Sequence, residues 1–301
     1  MSLLVTGTIG IDTVETPTGK VDGVLGGSAA YFAVAASLLA PVRLVGVVGD
    51  DLPPRFLEVF KNRSIDTAGL EIRRGAKTFQ WHGKYLDDIN ERETLRTDLN
   101  VVGEAPPRIP DSFRDSRFLF LANTHPAIQR RFIGQLAGPR LVVCDTMNLW
   151  IDGFRDDLLQ TLAAVHGVVL NDGEARMLAG EKNLVRAGRA ILGLGPQFAV
   201  IKKGEHGAML VTPDELFVLP AIPCADVVDP TGAGDSFAGG MMGYLAATGR
   251  TDVEAVKTGL AYGTCIASIT IEGYSLDALR AAERQALDAR LVQLRNLVKF
   301  E

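Results

Sequence analysis

Cysteine is scarce in this 301-residue chain. The 3 thiols, Cys144, Cys224 and Cys265, are odd in number and far apart. They exclude a disulfide scaffold, lack metal-ligand spacing, and read as buried thiols in a reducing cytosol. Long apolar runs are missing as well. The start, MSLLVTGTIGID, has neither the basic stretch nor the apolar length of a signal peptide, and no later segment approaches a membrane span. Positive charge is not in excess. The formal net charge of -5 argues against a nucleic-acid surface, which needs clustered Lys and Arg. No Gly-x-x-x-x-Gly-Lys-Ser/Thr loop occurs, so a P-loop enzyme is unsupported. Gly7-Thr8-Ile9-Gly10 falls short of the dinucleotide-binding fingerprint, and a strand-like segment follows it instead of a helix. Repeats, low-complexity segments and linkers are absent too. A soluble, cytoplasmic protein with one domain over residues 1–301 is expected, without nucleic-acid or membrane partners.

What is present is a regular alternation. Short apolar runs rich in β-branched residues predict strands at 3–5, 44–48, 118–121, 141–144, 168–170 and 198–201. Helical periodicity predicts helices at 28–39, 53–62, 127–136, 155–165 and 184–192. Such alternation implies right-handed βαβ crossovers around a mostly parallel sheet. The strands are apolar on both faces, as a sheet covered by helices on both sides requires. The expected class is therefore α/β, a three-layer sandwich. Two segments break the rhythm, 12–25 and 70–102. In both, apolar and polar residues alternate around turn signals, which suggests antiparallel strands with one wet face. They read as a small β-sheet lid or as a pair of surface hairpins. The tail, 276–298, predicts one charged amphipathic helix packed on the core.

The chemistry concentrates in DVVDPTGAGDSFAGG, Asp226 to Gly240. Gly232 and Gly234 let backbone amides approach a ligand without side chains in the way. A helix begins at about Ser236, with Phe237, Met241, Tyr244 and Leu245 on one side. Its first turn carries unpaired N–H groups and the positive end of the helix dipole, both suited to phosphate oxygens. A carboxylate there repels phosphate unless its task lies beside it, such as taking a proton from a hydroxyl. That combination points to phosphoryl transfer, with Asp235 as base and the glycine amides as anion hole. Asp235 as a plain helix cap after a glycine turn is the competing reading.

The longer string DPTGAGDSFAGG, Asp229 to Gly240, resembles the second signature of the ribokinase-like (PfkB) family of carbohydrate and nucleoside kinases. Three more stretches follow family order. GGSAAYFAVAASLLAPVRLVGVVGDD, Gly26 to Asp51, resembles the first signature. NDGE, Asn171 to Glu174, resembles the Asn-x-x-Glu element, and KKGEHG, Lys202 to Gly207, resembles the nucleotide-side hairpin. The resemblance implies an ATP-dependent kinase of a carbohydrate hydroxyl, or alternatively of a nucleoside. It makes Asp235 the catalytic base and Gly232, Ala233 and Gly234 the anion hole. Asn171 and Glu174 would organise the ATP phosphates and Mg²⁺, Glu174 through water, although a helix cap with an acid in its first turn reads the same way. Lys202, Gly204 and Gly207 would flank the nucleotide, in a tight hairpin that needs glycine in any case. Asp12, following the first strand, would bind two substrate hydroxyls, and Gly26 and Gly27 would let them reach the backbone. A K⁺ site near Asp229 and Thr231, and a homodimer formed through the lid, also follow from the resemblance.

Departures from the family narrow the substrate. Tyr31 stands where sugar kinases of the family often carry asparagine, and an aromatic there would wall a sugar pocket or stack on a base. Asp145-Thr146-Met147-Asn148-Leu149-Trp150 keeps the strand and acid of an Asp-Pro-Asn-x-Arg segment without its proline and arginine. That weakens the case for a substrate already bearing phosphate or carboxylate. The lid offers Phe79, Trp81, His82 and Tyr85. As ligand contacts they favour a nucleoside over a small free sugar; as lid packing they say nothing, and His82 reads as a surface residue. A non-catalytic nucleotide- or sugar-binding protein is the alternative from another class.

Overall fold

The computed structural model describes residues 2–299; Met1, Phe300 and Glu301, the ends of the expected 1–301 domain, lie outside the described residues. In chain order the strands are β1 (Leu3–Thr6), β2 (Gly10–Thr16), β3 (Gly19–Gly26), β4 (Val42–Gly49), β5 (Ile65–Arg73), β6 (Phe79–Tyr85) and β7 (Arg92–Asp98). There follow β8 (Phe118–Leu121), β9 (Leu141–Asp145), β10 (Gly167–Asn171), β11 (Phe198–Lys202), β12 (Ala208–Val211) and β13 (Leu216–Leu219). Among the described residues the large sheet has the order β13-β12-β11-β10-β9-β8-β1-β4-β5. It is parallel from β11 to β5, and β12 and β13 close one edge antiparallel.

The sandwich follows from the two-residue period of the strands. Leu3 and Val5 enter one core and Leu4 the other; Phe118 and Phe120 part from Leu119 and Leu121 in the same way. All of these residues are buried, and each contributes about 1.5–3 kcal/mol on burial. Helices Ser28–Ala36, Ala233–Thr248 and Val253–Thr270 cover the first face. Helices Pro126–Ile133, Arg155–Leu162, Asp172–Ala179 and Leu184–Leu192 cover the second. The expected three-layer α/β sandwich is present. No helix among the described residues is long and apolar enough to cross a membrane.

A second sheet, β3-β2-β6-β7, is formed by the two segments that broke the rhythm. Three expectations need correction here. First, β2 and β6 pair parallel, so the small sheet is mixed. Second, Leu70–Arg73 belongs to β5 of the large sheet and not to the lid. As an edge strand β5 has one wet face, and its alternation mimics a lid strand. Third, the tail is two helices, Asp277–Ala281 and Arg284–Leu297. The Arg63 guanidinium donates to the carbonyls of Leu279, Arg280 and Ala282, which ends the first helix, and Ala282 turns extended. Cysteine also departs from expectation. Cys144 and Cys265 are buried thiols, whereas Cys224 is half-buried on an extended stretch beside a cavity.

Candidate active site

The carboxyl ends of the parallel strands meet the start of helix Ala233–Thr248, the place where open α/β sheets bind ligands. Gly232 precedes that helix with φ 74° and needs to be glycine twice over. The left-handed backbone disfavours a side chain, and a Cβ would stand 2.2 Å from the Tyr31 ring. Tyr31 is 2% exposed. Its helix is buried along its whole length, and the ring packs against the loop at Gly232.

Beneath the loop, Asp229 is fully buried. Its Oδ1 accepts from the Thr231 amide at 2.8 Å and its Oδ2 from the Ser275 amide at 3.0 Å. Ser275 holds a left-handed φ of 53°, and its hydroxyl donates to the Leu25 carbonyl at 2.5 Å. One carboxylate thus ties the loop to a distant turn, and that turn to the small sheet. Burial raises the Asp229 pKa, and only hydrogen bonds oppose it; no cation contributes.

Asp235 sits in the first helical turn and is half-buried. Burial and the Asp145 charge lift its pKa, against the pull of Lys202 and Arg92. Lys202 ends β11, and its Nζ lies 2.8 Å from where a Cβ on Gly234 would stand, beside the anion hole. Burial pulls Lys202 down, but Asp145, Glu174 and Asp235 together hold it above its ordinary value. Asn171 and Glu174 form a reciprocal capping box at the end of β10. Glu174 N–H donates to Asn171 Oδ1 at 2.8 Å, and Asn171 N–H to Glu174 Oε2 at 2.7 Å. The cap does not exclude a second task. Glu174 is buried, its pKa is raised by burial, and Lys202 faces it.

Gly204 and Gly207 make the tight turn after β11, with φ 55° and 87°. They border a cavity of about 360 Å³ together with Asn90, Val227, Phe237 and Thr264. Asp12 is 4% exposed. Its carboxylate rests on Gly26, where a Cβ would stand 1.8 Å from Oδ2, and its Oδ1 has no hydrogen-bond partner. Burial lifts Asp12 to about 7 against the Gly27 amide, with Asp229 and Asp235 adding repulsion. A buried oxygen without a donor is costly, and a substrate hydroxyl is the group that would satisfy it.

Three contributors went unassigned in the sequence. Asp145 ends β9 and faces Lys202; an acid at the carboxyl end of a parallel strand was the available signal. Tyr85 of β6 accepts from the Thr231 hydroxyl at 3.2 Å, joining the small sheet to the anion-hole loop. Arg92 of β7 lies opposite Tyr85 in register, and no local pattern marks it. His82 is half-buried on β6 and pairs with Glu15 at 2.9 Å.

A glycine-led helix start, an acid in its first turn and a lysine beside it are groups suited to a phosphotransferase acting on a hydroxyl. Comparison with known proteins agrees. The family model of the pfkB family carbohydrate kinases matches residues 133–277. The cytidine kinase of Thermococcus kodakarensis is 32% identical over 268 residues, covering 86% of this chain and 94% of its own. The ATP-dependent ribose-1-phosphate kinase of Halopiger xanaduensis is 31% identical over 81% of this chain and 79% of its own. The crystal structure of aminoimidazole riboside kinase from Salmonella enterica, complexed with aminoimidazole riboside and an ATP analogue, superposes with a TM-score of 0.77. It covers 97% of this chain and 100% of that one at 20% identity. The chain belongs to the pfkB family of carbohydrate kinases. It is a sugar or nucleoside kinase, which sets aside the non-catalytic reading.

Proposed function

We propose that the protein phosphorylates a ribonucleoside on a ribose hydroxyl, with ATP as donor. The observation that carries this reading is one face of the small sheet. Asp12 pairs in register with Trp81, and Gly10 with Phe79, so the diol-binding carboxylate and two aromatic rings share a side. Tyr85, two pairs further along β6, reaches the anion-hole loop from that same side. A carboxylate suits the two vicinal hydroxyls of ribose, and flat rings suit a base. A free sugar would use Asp12, Gly26 and Gly27 but leave the rings idle. The likeness to a cytidine kinase and to a kinase complexed with aminoimidazole riboside supports the same choice.

In the mechanism, Asp12 holds the ribose diol and Asp235 orients and deprotonates the attacking hydroxyl. The first-turn amides of Gly232, Ala233 and Gly234 receive the transferring phosphoryl, with Lys202 beside them. Asn171, Gly204 and Gly207 border the donor, whose base would enter the 360 Å³ cavity. Glu174, buried at the carboxyl end of the sheet within reach of the Lys202 charge, would hold Mg²⁺ through water and donor phosphate oxygens. Mg²⁺ there would neutralise charge on the donor phosphates. Asp229, buried without an opposing cation, fits K⁺. Closure of the small sheet as a lid over residues 12–25 and 79–98 would exclude water. The unpaired edges of β3 and β7, with Leu95 exposed on the latter, suit a homodimer through the lid in a cytoplasmic enzyme.

A mass-spectrometric phosphorylation screen tests the reading, with Mg·ATP and a panel of nucleosides, ribose, hexoses and sugar phosphates. Asp235-dependent product from nucleosides is expected; product from sugars alone overturns the nucleoside assignment.

A further inference from the structure

Two consecutive residues, Tyr274 and Ser275, grip the β2–β3 ribbon that carries Asp12. At the tip, where Thr16 pairs with Gly19, the Tyr274 hydroxyl lies 3.2 Å from Thr16 Oγ1 and 3.4 Å from Thr18 Oγ1. Gly19 leaves room for it, since a Cβ there would stand 2.9 Å from the hydroxyl oxygen. The two threonine hydroxyls are 2.8 Å apart, and Thr18 Oγ1 donates to the Val228 carbonyl at 3.4 Å. With one proton per hydroxyl, the chain runs from Tyr274 to Thr16, to Thr18 and to Val228, and leaves no donor idle. At the base of the ribbon, the Ser275 hydroxyl donates to the Leu25 carbonyl, and Leu25 pairs with Ile11. Asp12, paired with Val24, lies between these two fixed points.

The same turn holds the anion-hole loop. Ser275 N–H donates to Asp229 Oδ2, and Asp229 Oδ1 accepts from Thr231 N–H, just ahead of Gly232. The amides of Val228 and Asp229 both donate to the Ile271 carbonyl, at 2.9 and 3.4 Å. Ser275 keeps its left-handed backbone without being glycine, a conformation that persists only where its surroundings over-determine it. Its amide is bound toward the loop and its hydroxyl toward the ribbon, so a shift of either is passed to this turn.

We propose that Tyr274 is a positioning residue through which occupancy of the acceptor site and of the anion hole reinforce each other. Donor phosphate oxygens on the first-turn amides would order the loop from Asp229 to Gly232. Through Ser275 that order reaches the turn, and through Tyr274 it reaches the tip of the ribbon, which then holds Asp12 for the acceptor diol. The ordering cost is shared by both ligands, which is positive coupling between the sites. Tyr274 acts through these partners and not on the reacting atoms. The inference rests on the kinase reading above with Asp12 as the acceptor acid, not on which acceptor is used.

Tyr274→Phe removes only the hydroxyl and keeps the ring, so it tests the contact without emptying the site. Hydrogen–deuterium exchange with β,γ-imido ATP, and no acceptor, is the first measurement. In the parent the analogue should protect both residues 226–240 and the ribbon 10–26. In Y274F protection of 226–240 should persist, while 10–26 should exchange as in the unliganded protein. The second measurement is a calorimetric cycle with the analogue and with cytidine or adenosine as acceptor probe. Saturating nucleoside should tighten analogue binding at least about tenfold in the parent. Y274F should lose about fivefold of that factor, the worth of one net hydrogen bond, while each ligand alone binds within about twofold of the parent. Thr16→Val combined with Thr18→Val should reproduce the loss from the other side of the contact, and adding Y274F should deepen it little. Ribbon protection that is missing in the parent, or retained in Y274F, overturns the proposal. So does an unchanged coupling factor in Y274F, even with a lower Tm, because the bond would then be structural only. If neither nucleoside binds, the acceptor reading fails and the exchange measurement alone decides the role of Tyr274.

Discussion

The loop and helix start around Gly232 (the floor) and the face of the small sheet (the lid face) flank the proposed site, yet they are built on opposite principles. The floor is contiguous in sequence. Seven residues, Asp229 to Asp235, contain the buried tie, the left-handed glycine, the helix start and the base. The lid face is assembled from three strands: Asp12 on β2, Phe79, Trp81 and Tyr85 on β6, and Arg92 on β7. Floor residues are neighbours along one loop, which the Asp229 carboxylate braces to the Ser275 amide. Lid residues meet only because β2 pairs parallel with β6, across a long stretch of chain. On the proposed function, the floor would handle what all acceptors have in common and the lid face what distinguishes them.

Substitutions can break this division, and the largest effect is expected in the floor. Asp235→Asn should lower kcat by about 10²- to 10⁴-fold while calorimetry finds donor binding intact. Near-normal turnover would remove the base assignment and leave Asp235 an acid in the first turn of its helix. Gly232→Ala should come next, by a different route. The left-handed backbone costs about 1–2 kcal/mol, and the new methyl must also displace Tyr31. Thermal unfolding should detect a lower Tm together with weaker binding of the donor phosphates.

On the lid face the expected losses are smaller and acceptor-specific. Asp12→Asn should reduce kcat/KM for the acceptor about 10- to 100-fold, the worth of hydrogen bonds to a charged group, with donor KM unchanged. The same variant sharpens the comparison through pH. Asp12 rises from 3.8 unfolded to about 7 folded, so the fold binds its proton more tightly. Its contribution to stability is present below 3.8 and is lost as pH rises through about 7. Asp12→Asn should therefore gain Tm over the parent at pH 8 and little at pH 4; a gain independent of pH would contradict the buried-acid account. The smallest effect is expected for Trp81→Ala, about three- to tenfold in kcat/KM for nucleosides and none for free ribose. Equal losses on both acceptors would make the indole lid packing only.

Much of this architecture was legible along the chain, for a local reason. Leu3–Val5, Phe118–Leu121 and Phe198–Ile201 are apolar on both faces, and only a strand between two helical layers needs that. Helix Leu184–Leu192 was legible to the residue because Asn183 caps it and the apolar stripe is clean. The errors sit where neighbours decide. β5 looks like a lid strand because an edge strand of the large sheet is wet on one face. The tail helix breaks because Arg63, more than 200 residues away in sequence, takes the carbonyls at 279, 280 and 282. Cys224 is half-buried because the stretch carrying it lines a cavity instead of crossing a core.

By itself the sequence determined the reaction. The turn at Gly232, the helix that follows and Asp235 in its first turn interact within a few residues, so their order along the chain dictates their geometry. The tertiary structure alone decided that Tyr31 packs against Gly232 and that Asp145 and Lys202 come near enough to Asp235 to act on its charge. These groups come from different strands. Their proximity depends on register and sheet order, and the energies that set register are summed over the whole core and written in no single segment.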